Sequence, residues 1–390
     1  MVNRENKQSI PSLYQERAWV EISRTALTSN VHYLLGRLSP GTEMMTVVKA
    51  DAYGHGAVTV ARTVLAAGAH WLGVATVPEG IELRENGISA PILVLGAVNA
   101  ADEMRAIAHW QLQPTLTNPH QAMGAAKELG NSEHPYPVHL KIDTGMSRLG
   151  VGWESAVSFV QQVQELPNLL IASIYSHFAT ADDPDPRFMY QQHERFITVV
   201  NQLQQNGDGQ PCLHIANSAA TLRDSTLHHH RVRIGLATYG LYPSSHVQDQ
   251  FKENRLCPVM QIKARITQVK LVGTGTGVSY GRQFVTQRPT SLAIVGIGYA
   301  DGVPRNLSNK MMVLLRGEWV RQVGAITMDM LMIDVTDLPE VQPGEVVTVL
   351  GTDGSNHISA HDWAMLLGTI PWEILCGFKH RLPGLTWTKP

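Results

Sequence analysis

Met44-Met45-Thr46-Val47-Val48-Lys49 is an apolar run that ends in a lysine, and the glycine-containing loop Ala50-Asp51-Ala52-Tyr53-Gly54-His55-Gly56 follows it. An apolar run that stops at a glycine-rich loop is typical of a buried strand, so Lys49 should lie at the strand's C-terminal end and face a cleft. Desolvation disfavours the charged form of a lysine and makes its amine a usable nucleophile or base. The string suits a Schiff base with a carbonyl cofactor such as pyridoxal 5'-phosphate (PLP), and it fits a lysine that reaches solvent from a strand end as well.

Working outward from this strand, short apolar runs alternate with helix-like segments between about residues 25 and 243. Apolar residues at three- and four-residue spacing predict helices over 27–38, 157–166 and 187–205. Eight short runs are predicted to be strands: 44–49, 71–75, 92–95, 113–116, 138–142, 172–177, 213–216 and 232–237. Eight β-α repeats in one stretch predict a (β/α)8 barrel of the TIM type rather than an open doubly wound sheet.

The position of the polar residues supports the barrel. In such a barrel, chemistry takes place at the C-terminal ends of the strands. Polar or small residues follow several predicted strands at that end: Lys49, Asp143, Arg148, His177, Asn217, Ser218 and Gly235, with Arg233 inside the last strand. One rule therefore places all of them on the same face.

Lys141 interrupts the predicted strand 138–142 and should point into the barrel. A second buried cation near Lys49 and Arg148 is costly unless it is paired or modified. Pairing with Asp143 is one solution, and a modification that adds negative charge is the one we favour. Arg148, on a loop with a glycine at each end, is suited to planar recognition of a carboxylate.

Ser218 and the backbone after Arg233 suggest a phosphate site. A serine hydroxyl with the amides of Gly235 and Leu236 would form a phosphate cradle without a P-loop. The chain has no GxxxxGK[ST] string, and the glycines of 273–281 lack the strand-to-helix context of a dinucleotide site.

After Pro243 the helical periodicity disappears and β-branched alternation replaces it. Strand-like runs occur at 261–271, 291–297, 311–315, 320–328, 331–335 and 346–350. They predict a mostly antiparallel β domain over residues 251–390, following a barrel domain at 15–250, with a late helix over 360–367 capped by Ser359. The early run 18–22 could be a barrel strand or could pair with the second domain. Tyr280 and Tyr299 each lie beside glycines, which favours their presentation to a ligand.

The composition excludes several classes of protein. The chain has 390 residues, a net charge of −2 and scattered basic residues, which do not indicate nucleic acid or an anionic membrane as a partner. Three cysteines without a C-x-x-C pair indicate reduced thiols, and the consecutive histidines 228–230 are predicted to be an exposed loop rather than a metal site. No apolar run reaches the roughly 18 residues of a membrane span. We expect a soluble cytoplasmic protein without a metal.

Eight strings in this order closely resemble the PLP-dependent alanine racemases, in which a barrel precedes a β domain. They are VVKADAYGHG (47–56), KIDTGMSRLG (141–150), HFATAD (177–182), NSAA (217–220), RIGLATYG (233–240), VSYGRQF (278–284), GYADG (298–302) and the pair Met328-Asp329. The resemblance covers nearly the whole chain. It implies interconversion of L-alanine and D-alanine, D-alanine supply for bacterial peptidoglycan, and a homodimer with shared active sites.

The resemblance also implies two bases on opposite faces of the substrate. Lys49 would carry PLP and be the base for one enantiomer, and Tyr280 from the partner subunit would be the base for the other. His177 and Arg233 resemble the relay that makes the tyrosine a usable base. Arg233 also resembles the arginine that faces the pyridine nitrogen, which an arginine cannot protonate.

The other implied roles concern cofactor, substrate and a modified lysine. The resemblance implies further cofactor contacts by Tyr53, Arg148, His177, Ser218, Arg233, Gly235, Leu236 and Trp372. Arg148 would bind the substrate carboxylate and the cofactor's phenolic oxygen, and Lys141, as a carbamate (N6-carboxylysine), would orient it. Further substrate contacts would come from Met328, Tyr299 and Asp329.

Three positions depart from the family pattern. Ala325 replaces an arginine at the substrate entry, Thr327 replaces a cysteine, and Trp372 replaces a tyrosine whose hydroxyl could accept a hydrogen bond. These changes leave an alanine/serine racemase as an alternative. A barrel-type PLP amino-acid decarboxylase is a second alternative, although the late cysteine–aspartate pair that would serve it is missing. A non-catalytic PLP-binding protein is a third, although such proteins are usually single barrels.

Overall fold

The computed structural model describes residues 17–129, 134–207, 211–251, 255–378 and 381–387. These residues form two compact units that are interleaved along the chain. The barrel unit consists of the described residues of Ala26–Ala52 and Gly56–Cys257, and the β unit of those of Met1–Thr25, Tyr53–His55 and Pro258–Pro390. The domain boundaries that we predicted, 15–250 and 251–390, stay a prediction that limited proteolysis can test.

Eight parallel strands form the main sheet of the barrel unit. The first described strand, β1 (Ala18–Ser23), belongs to the β unit. The strands of the barrel unit follow as β2 (Glu43–Val47), β3 (Trp71–Val74), β4 (Ile92–Ala97), β5 (Gln113–Leu116), β6 (Tyr136–Asp143), β7 (Val151–Gly152), β8 (Leu169–Tyr175), β9 (Cys212–His214) and β10 (Arg231–Ile234). Their order is β10-β2-β3-β4-β5-β6-β8-β9, and β7 pairs with β6 alone.

Backbone hydrogen bonds between the two ends of this order close the barrel. His230 N–H donates to Leu213 O (3.1 Å) and Arg233 N–H donates to Ala216 O (2.9 Å). The predicted (β/α)8 barrel is confirmed, and each of the eight predicted strands overlaps an observed one. In β10 all four residues are buried, as expected of a strand covered on both faces.

Helices connect the strands. They are α1 (Arg24–Leu35), α2 (Lys49–Gly54), α3 (Ala57–Ala66), α4 (Val77–Glu85), α5 (Ala101–His109), α6 (Pro119–Leu129), α7 (Ala156–Gln164), α8 (Arg187–Gln205), α9 (Ser218–Arg223) and α10 (Ser245–Asp249). In α8 the apolar residues recur at the spacing of one helix face, and that face is buried. It includes Met189, Phe196, Val200 and Leu203. Of the described helices, none has both the length and the apolar character needed to cross a bilayer.

The β unit is mostly antiparallel. Its further strands are β11 (Met260–Val272), β12 (Gly277–Val278), β13 (Phe284–Val285), β14 (Thr290–Val295), β15 (Met312–Leu315), β16 (Glu318–Arg321), β17 (Leu331–Asp334), β18 (Val346–Asp353), β19 (Asn356–Ile358) and β20 (Gly384–Trp387). The long strand β11 pairs with β1, β14 and β18. The early strand, which the sequence left open between the two domains, thus joins the β sheet. The helices are α11 (Ala360–Leu367), capped by Ser359 as predicted, and α12 (Pro371–Gly377).

The three consecutive histidines correct one prediction in part, since only His230 is exposed as expected. They were expected to form an exposed loop, but His228 is buried, with its Nδ1 accepting from the Ser39 amide (3.2 Å) and its Nε2 beside Thr221 O (2.9 Å). His229 is half-buried, and its Nε2 lies 2.9 Å from His193 Nε2. The tract therefore helps to fasten the end of the barrel opposite the predicted site.

Candidate active site

A left-handed turn follows β2 at Lys49. Ala50, Asp51 and Ala52 each have a φ of 53°, and Tyr53 has a φ of 55°, so four non-glycine residues in succession adopt the left-handed helical conformation. This conformation costs an L-residue about 1–2 kcal/mol. Strain of this kind concentrates at functional sites. The sequence predicted an ordinary loop here, and that prediction was wrong about the local conformation.

Two carboxylates hold the strained turn in place. Glu79 Oε1 accepts a hydrogen bond from the amide of Ala50 (2.8 Å), and Asp51 Oδ1 accepts one from the amide of Ala57 (2.7 Å). The backbone that leads away from Lys49 is therefore fixed on both sides. A fixed backbone gives the lysine side chain a defined starting position at the C-terminal end of the barrel.

Substitutions at the exposed Ala50 test the handedness of this turn. Ala50→Gly should raise the free energy of unfolding by about 0.5–1 kcal/mol, because glycine adopts positive φ without a steric cost. Ala50→Val should lower it by about 1–2 kcal/mol, because a β-branched residue is still less tolerated there. The control Ala106→Gly, in the right-handed helix α5, should lower it by about 0.5–1 kcal/mol. Urea unfolding followed by circular dichroism measures all three, and the same sign for both glycine variants would contradict the left-handed turn.

Lys141 lies in β6 and is only 6% exposed. Burial, followed by the charges of Arg233, Arg148 and Lys49, lowers the pKa of its ammonium group to about 7. A large fraction of Lys141 is therefore a neutral amine at neutral pH. Its Nζ lies 5.4 Å from the centre of the Tyr175 ring.

Asp143, at the end of β6, fixes the loop that carries Arg148. Its Oδ1 accepts hydrogen bonds from the amides of Gly145 (2.9 Å), Met146 (2.9 Å) and Ser147 (3.1 Å). Asp143 is thus used to stabilise its own turn, and no ion pair joins it to Lys141 in the part of the chain that the structure describes. The loop therefore holds Arg148 close to Lys141.

Arg233 is buried at the same end of the barrel, and its acceptors among the described residues are all neutral. Its Nη1 bonds His214 Nδ1 (2.8 Å) and His214 O (3.1 Å). Its Nη2 bonds Ser176 O (2.7 Å), His177 Nδ1 (3.0 Å) and Ile215 O (3.3 Å). Burial is the main cause that lowers the pKa of its guanidinium, to about 10, so the group still carries its charge at neutral pH.

These contacts define the tautomers of His177 and His214. Burial, and then the charge of Arg233, lowers the pKa of both imidazoles well below its usual value, so both rings are neutral at neutral pH. Because an arginine can only donate, the Nδ1 atom of each ring must be the acceptor. Each ring therefore carries its hydrogen on Nε2.

Ser218 and the backbone after β10 form a cradle suited to an anion. Ser218 is 6% exposed, and its Oγ accepts hydrogen bonds from the backbone amides of Gly235 (3.0 Å) and Ala237 (3.4 Å). Because the oxygen already accepts two hydrogen bonds, the hydroxyl hydrogen is left to donate to a further group. The predicted member Leu236 lies between these two amides and is buried.

In the β unit, Tyr280 lies on a strained loop and is 71% exposed. Its neighbours Ser279 and Gly281 both have positive φ, at 63° and 69°. Ser279 Oγ donates a hydrogen bond to Ala325 O (2.7 Å). Ala325, which departs from the family pattern, therefore holds the tyrosine loop through its backbone carbonyl, whatever its side chain.

Tyr299 and Met328 lie on two loops that hydrogen-bond to each other. The amide of Tyr299 donates to Thr327 O (3.0 Å), and that of Ala300 donates to Met328 O (3.0 Å). Tyr299 and Met328 are 41% and 52% exposed. Thr327, the second residue that departs from the family pattern, thus also helps to hold the two loops together through its backbone carbonyl.

A buried ion pair supports these loops. The Asp301 carboxylate accepts hydrogen bonds from Arg17 (2.7 and 2.6 Å) and from the amide of Gly298 (2.9 Å). Arg381 forms an ion pair with Asp329, the remaining predicted substrate contact. Sequence reasoning did not single out Arg17 or Asp301, because their pairing connects distant parts of the chain.

Tyr53 and Trp372, two further predicted cofactor contacts, also belong to the β unit. Tyr53 is 7% exposed, and burial raises the pKa of its phenol. Next to it, Gly54 has a φ of 79° and approaches Leu375 O so closely that a Cβ would lie 2.6 Å from it. Trp372 is half-buried in α12.

The structure brings the predicted barrel residues together. The pKa of His177 responds to the charges of Arg233, Lys141, Arg148 and Lys49, so the five side chains lie close to one another. Ser218 and Gly235 follow the adjacent strands. The other predicted residues lie in the β unit: Tyr53, Tyr280, Tyr299, Met328, Asp329 and Trp372. Sequence reasoning missed His214, whose only signal was a polar residue in a buried strand.

An amine and an anion cradle at one end of a parallel barrel can together hold a phosphorylated carbonyl compound. The chain thus has the architecture of a barrel enzyme that can hold such a cofactor.

Family models define the group more closely. The model described as alanine racemase, N-terminal domain, matches residues 22–243, and the one described as alanine racemase, C-terminal domain, matches residues 259–386. The chain belongs to the alanine racemase family.

Individual relatives and solved structures that resemble this chain are alanine racemases as well. An alanine racemase of Nostoc sp. is 59% identical over 372 residues, which cover 95% of this chain and 96% of the relative. The crystal structure of alanine racemase from Bacillus anthracis with bound L-Ala-P has a TM-score of 0.89 and 35% identity, covering 96% of this chain and 95% of that one. Alanine racemase from Bartonella henselae with covalently bound pyridoxal phosphate has a TM-score of 0.85 and 29% identity, covering 95% and 99%.

Proposed function

We propose that this chain interconverts L-alanine and D-alanine with PLP, using one base on each face of the substrate. Membership of the alanine racemase family supports the reaction. The observation that carries the proposal is the position of Lys49, on a fixed turn beside Lys141, Arg148, His177 and Arg233. A lysine amine in that position is suited to covalent binding of a carbonyl compound and to proton transfer.

The residues present fit PLP, which withdraws electrons from the substrate's α-carbon when bound and so makes its proton acidic. Lys49 would hold the cofactor covalently. The Ser218 hydroxyl and the amide of Leu236 would bind the phosphate, and the Gly235 amide, which donates to Ser218 Oγ, would orient that hydroxyl. We retain Tyr53 and Trp372 as proposed cofactor contacts.

Arg233 would face the pyridine nitrogen of the cofactor. With a pKa of about 10, its guanidinium keeps its protons at neutral pH and can donate a hydrogen bond without giving one up. Arg233 would therefore hold a hydrogen bond to that nitrogen without transferring a proton to it. His177 would contact the cofactor through its Nε2–H and connect Arg233 to the second base.

Lys49 Nζ would remove or return the proton on one face, and the hydroxyl of Tyr280 from a partner subunit on the other. This proposal includes a homodimer with shared sites. The exposure of Tyr280 and Met328, at 71% and 52%, supports their service to a second copy. Tyr299, Met328 and Asp329 are proposed substrate contacts.

Arg148 would bind the substrate carboxylate and the cofactor's phenolic oxygen, and Lys141 would orient it as a carbamate. The neutral Nζ of Lys141 attacks the carbon of carbon dioxide, an N–C bond forms, one C=O double bond becomes a C–O⁻ single bond, and the nitrogen releases one proton to solvent. The pKa of about 7 supports this, because the reaction needs the neutral amine.

Lys141→Ala should lower kcat/KM at least about tenfold, and chloride or acetate should restore part of it by replacing the anion beside Arg148. The exposed Lys127→Ala serves as the control and should leave the rate unchanged. In the protein without a substitution, labelled carbon dioxide should give a carbamate signal in ¹³C NMR. That signal should weaken as the pH falls below 7, because the amine becomes protonated. No carbamate signal together with no anion rescue would rule out the modification.

The proposal is tested by following α-deuterium exchange into L-alanine and L-serine by NMR, with chiral analysis of the products. Exchange with loss of chirality on alanine is the expected result. Serine turnover below a hundredth of alanine turnover in kcat/KM would exclude the alanine/serine alternative that Ala325, Thr327 and Trp372 raise. Release of carbon dioxide would indicate a decarboxylase, and cofactor absorbance without exchange would indicate a non-catalytic PLP-binding protein.

Supply of D-alanine for peptidoglycan and a cytoplasmic location are part of the same proposal. The three cysteines all lie in described residues and are outside disulfide bonds, which supports a reducing compartment. Fractionation of cells with an antibody to the protein would test the location.

A further inference from the structure

A continuous chain of hydrogen bonds crosses the barrel interior and ends at Arg233. Gln113 Oε1 lies 2.7 Å from His139 Nε2, and His139 Nδ1 lies 2.5 Å from Ser173 Oγ. Ser173 Oγ is 2.8 Å from His214 Nε2, and His214 Nδ1 is 2.8 Å from Arg233 Nη1. His139, Ser173 and His214 have no exposed surface. Nothing in the reaction itself requires the first three members of this chain.

The direction of every hydrogen bond in the chain follows from Arg233. Because a guanidinium only donates, His214 Nδ1 accepts, and the neutral ring carries its hydrogen on Nε2. That hydrogen is donated to Ser173 Oγ, which in turn donates its own hydrogen to His139 Nδ1. His139 then donates from Nε2 to Gln113 Oε1. Burial lowers the pKa of His139 to about 3, so this ring is neutral as well.

The same directions exclude proton transport along the chain. A proton conduit needs members that can accept a proton at one side and release it at the other, and Arg233 has no acceptor atom. The other described acceptors of Arg233 are His177 Nδ1 and three backbone carbonyls. With no carboxylate ion-paired to it in the described residues, the guanidinium takes its orientation from two imidazoles and the backbone.

We propose that Gln113, His139 and Ser173 are positioning residues for Arg233. They hold His214 in the tautomer whose Nδ1 accepts from Nη1, and this fixes the guanidinium plane that faces His177. The role rests on the proposed function, because it gives Arg233 its place beside the cofactor. Without the Ser173 hydroxyl, the Nε2 hydrogen of His214 loses its acceptor in a site without water access, and the ring turns or changes tautomer.

The test compares holoenzymes that carry Ser173→Ala with the unmodified holoenzyme. We expect kcat for alanine to fall about tenfold while KM changes less than about twofold, because a buried donor is left unsatisfied and the substrate contacts remain. Ring ¹⁵N NMR of histidine-labelled holoenzyme should show His214 as a neutral Nε2–H tautomer in the unmodified protein and lose that pattern in the variant. The cofactor's absorption spectrum should also change.

Three further variants separate positioning from a general loss of packing. Ser173→Thr keeps the hydroxyl and should restore kcat to within about threefold. Gln113→Leu, at the half-buried far end, should act in the same direction but less, by about two- to threefold. Thr46→Val removes another fully buried barrel hydroxyl, one without a hydrogen-bond partner among the described residues, and should leave kcat and the His214 signals unchanged.

Unchanged His214 signals and a kcat within about twofold in both Ser173→Ala and Gln113→Leu would overturn the proposal. An equal loss in Thr46→Val would also overturn it, because packing alone would then explain the effect. If Ser173→Ala does not fold, Gln113→Leu and its ¹⁵N spectrum decide. Failure of the unmodified protein to racemise alanine would instead reject the proposed function, while the tautomer of His214 would still be read from its NMR signals.

Discussion

Lys49→Ala should abolish racemisation, with kcat/KM lowered by a factor of about 10⁴ or more. The expected loss is this large because the proposal gives one amine two tasks. In the proposed mechanism, Lys49 holds the cofactor covalently and is also the base on one face of the substrate. No other described lysine can take over either task with the same geometry, because the left-handed turn fixes the backbone from which Lys49 extends.

The two tasks can be separated by adding a small amine. Methylamine should restore part of the α-deuterium exchange in Lys49→Ala for one enantiomer only, because the missing base serves one face. Lys127→Ala, on the exposed surface of α6, is the matched control. A Lys49→Ala variant that racemises alanine at more than about a hundredth of the unmodified rate would remove Lys49 from the mechanism.

Tyr280→Phe should lower racemisation about 10²- to 10⁴-fold and leave cofactor absorbance intact. The variant loses a single hydroxyl from a residue that is 71% exposed, so no effect on folding is expected. Ser279 and Gly281 keep their positive φ angles, and the bond from Ser279 to Ala325 O still holds the loop. In the proposed mechanism, the variant loses the proton donor and acceptor on the face opposite Lys49.

Isotope exchange gives this variant a specific signature. In deuterated water, one enantiomer should still exchange its α-hydrogen with retained configuration, because Lys49 can remove and return a proton on its own face. The other enantiomer should exchange far more slowly. The control is Tyr190→Phe, an exposed tyrosine on α8 that bonds Asp224. Equal exchange of both enantiomers, or full activity, would show that a two-base mechanism with Tyr280 is wrong.

The sequence predicted the barrel because strands that are buried on both faces contain many apolar residues. The strand β2 is mostly apolar, whereas in β10 arginines alternate with apolar residues although all four residues are buried, so Arg233 stands out as a buried charge. Lys49 could be placed because it ends an apolar run. For the β unit, alternation and turn signals predicted the strands, and the Ser359 cap marked the helix at α11.

Two features could not be predicted, for different physical reasons. The left-handed turn depends on side chains from elsewhere, such as Glu79, and alanine at positions 50 and 52 carries no preference for that conformation. The chain through Ser173 and His214 depends on the register of neighbouring strands, which is set by tertiary packing. In the sequence, Ser173 and His214 are single polar residues in separate strands, and nothing there indicates that they pair.

The pairing of β1 with β11 has a consequence for the nascent protein. Ala18 leaves the ribosome well before its antiparallel partner, Ala264. At about 5–20 residues per second, the partner strand follows roughly ten to fifty seconds later. During that interval the first strand is an apolar segment whose sheet does not yet exist, and association with another nascent chain competes with folding. Chaperone binding to β1 would shield this segment until β11 has been synthesised.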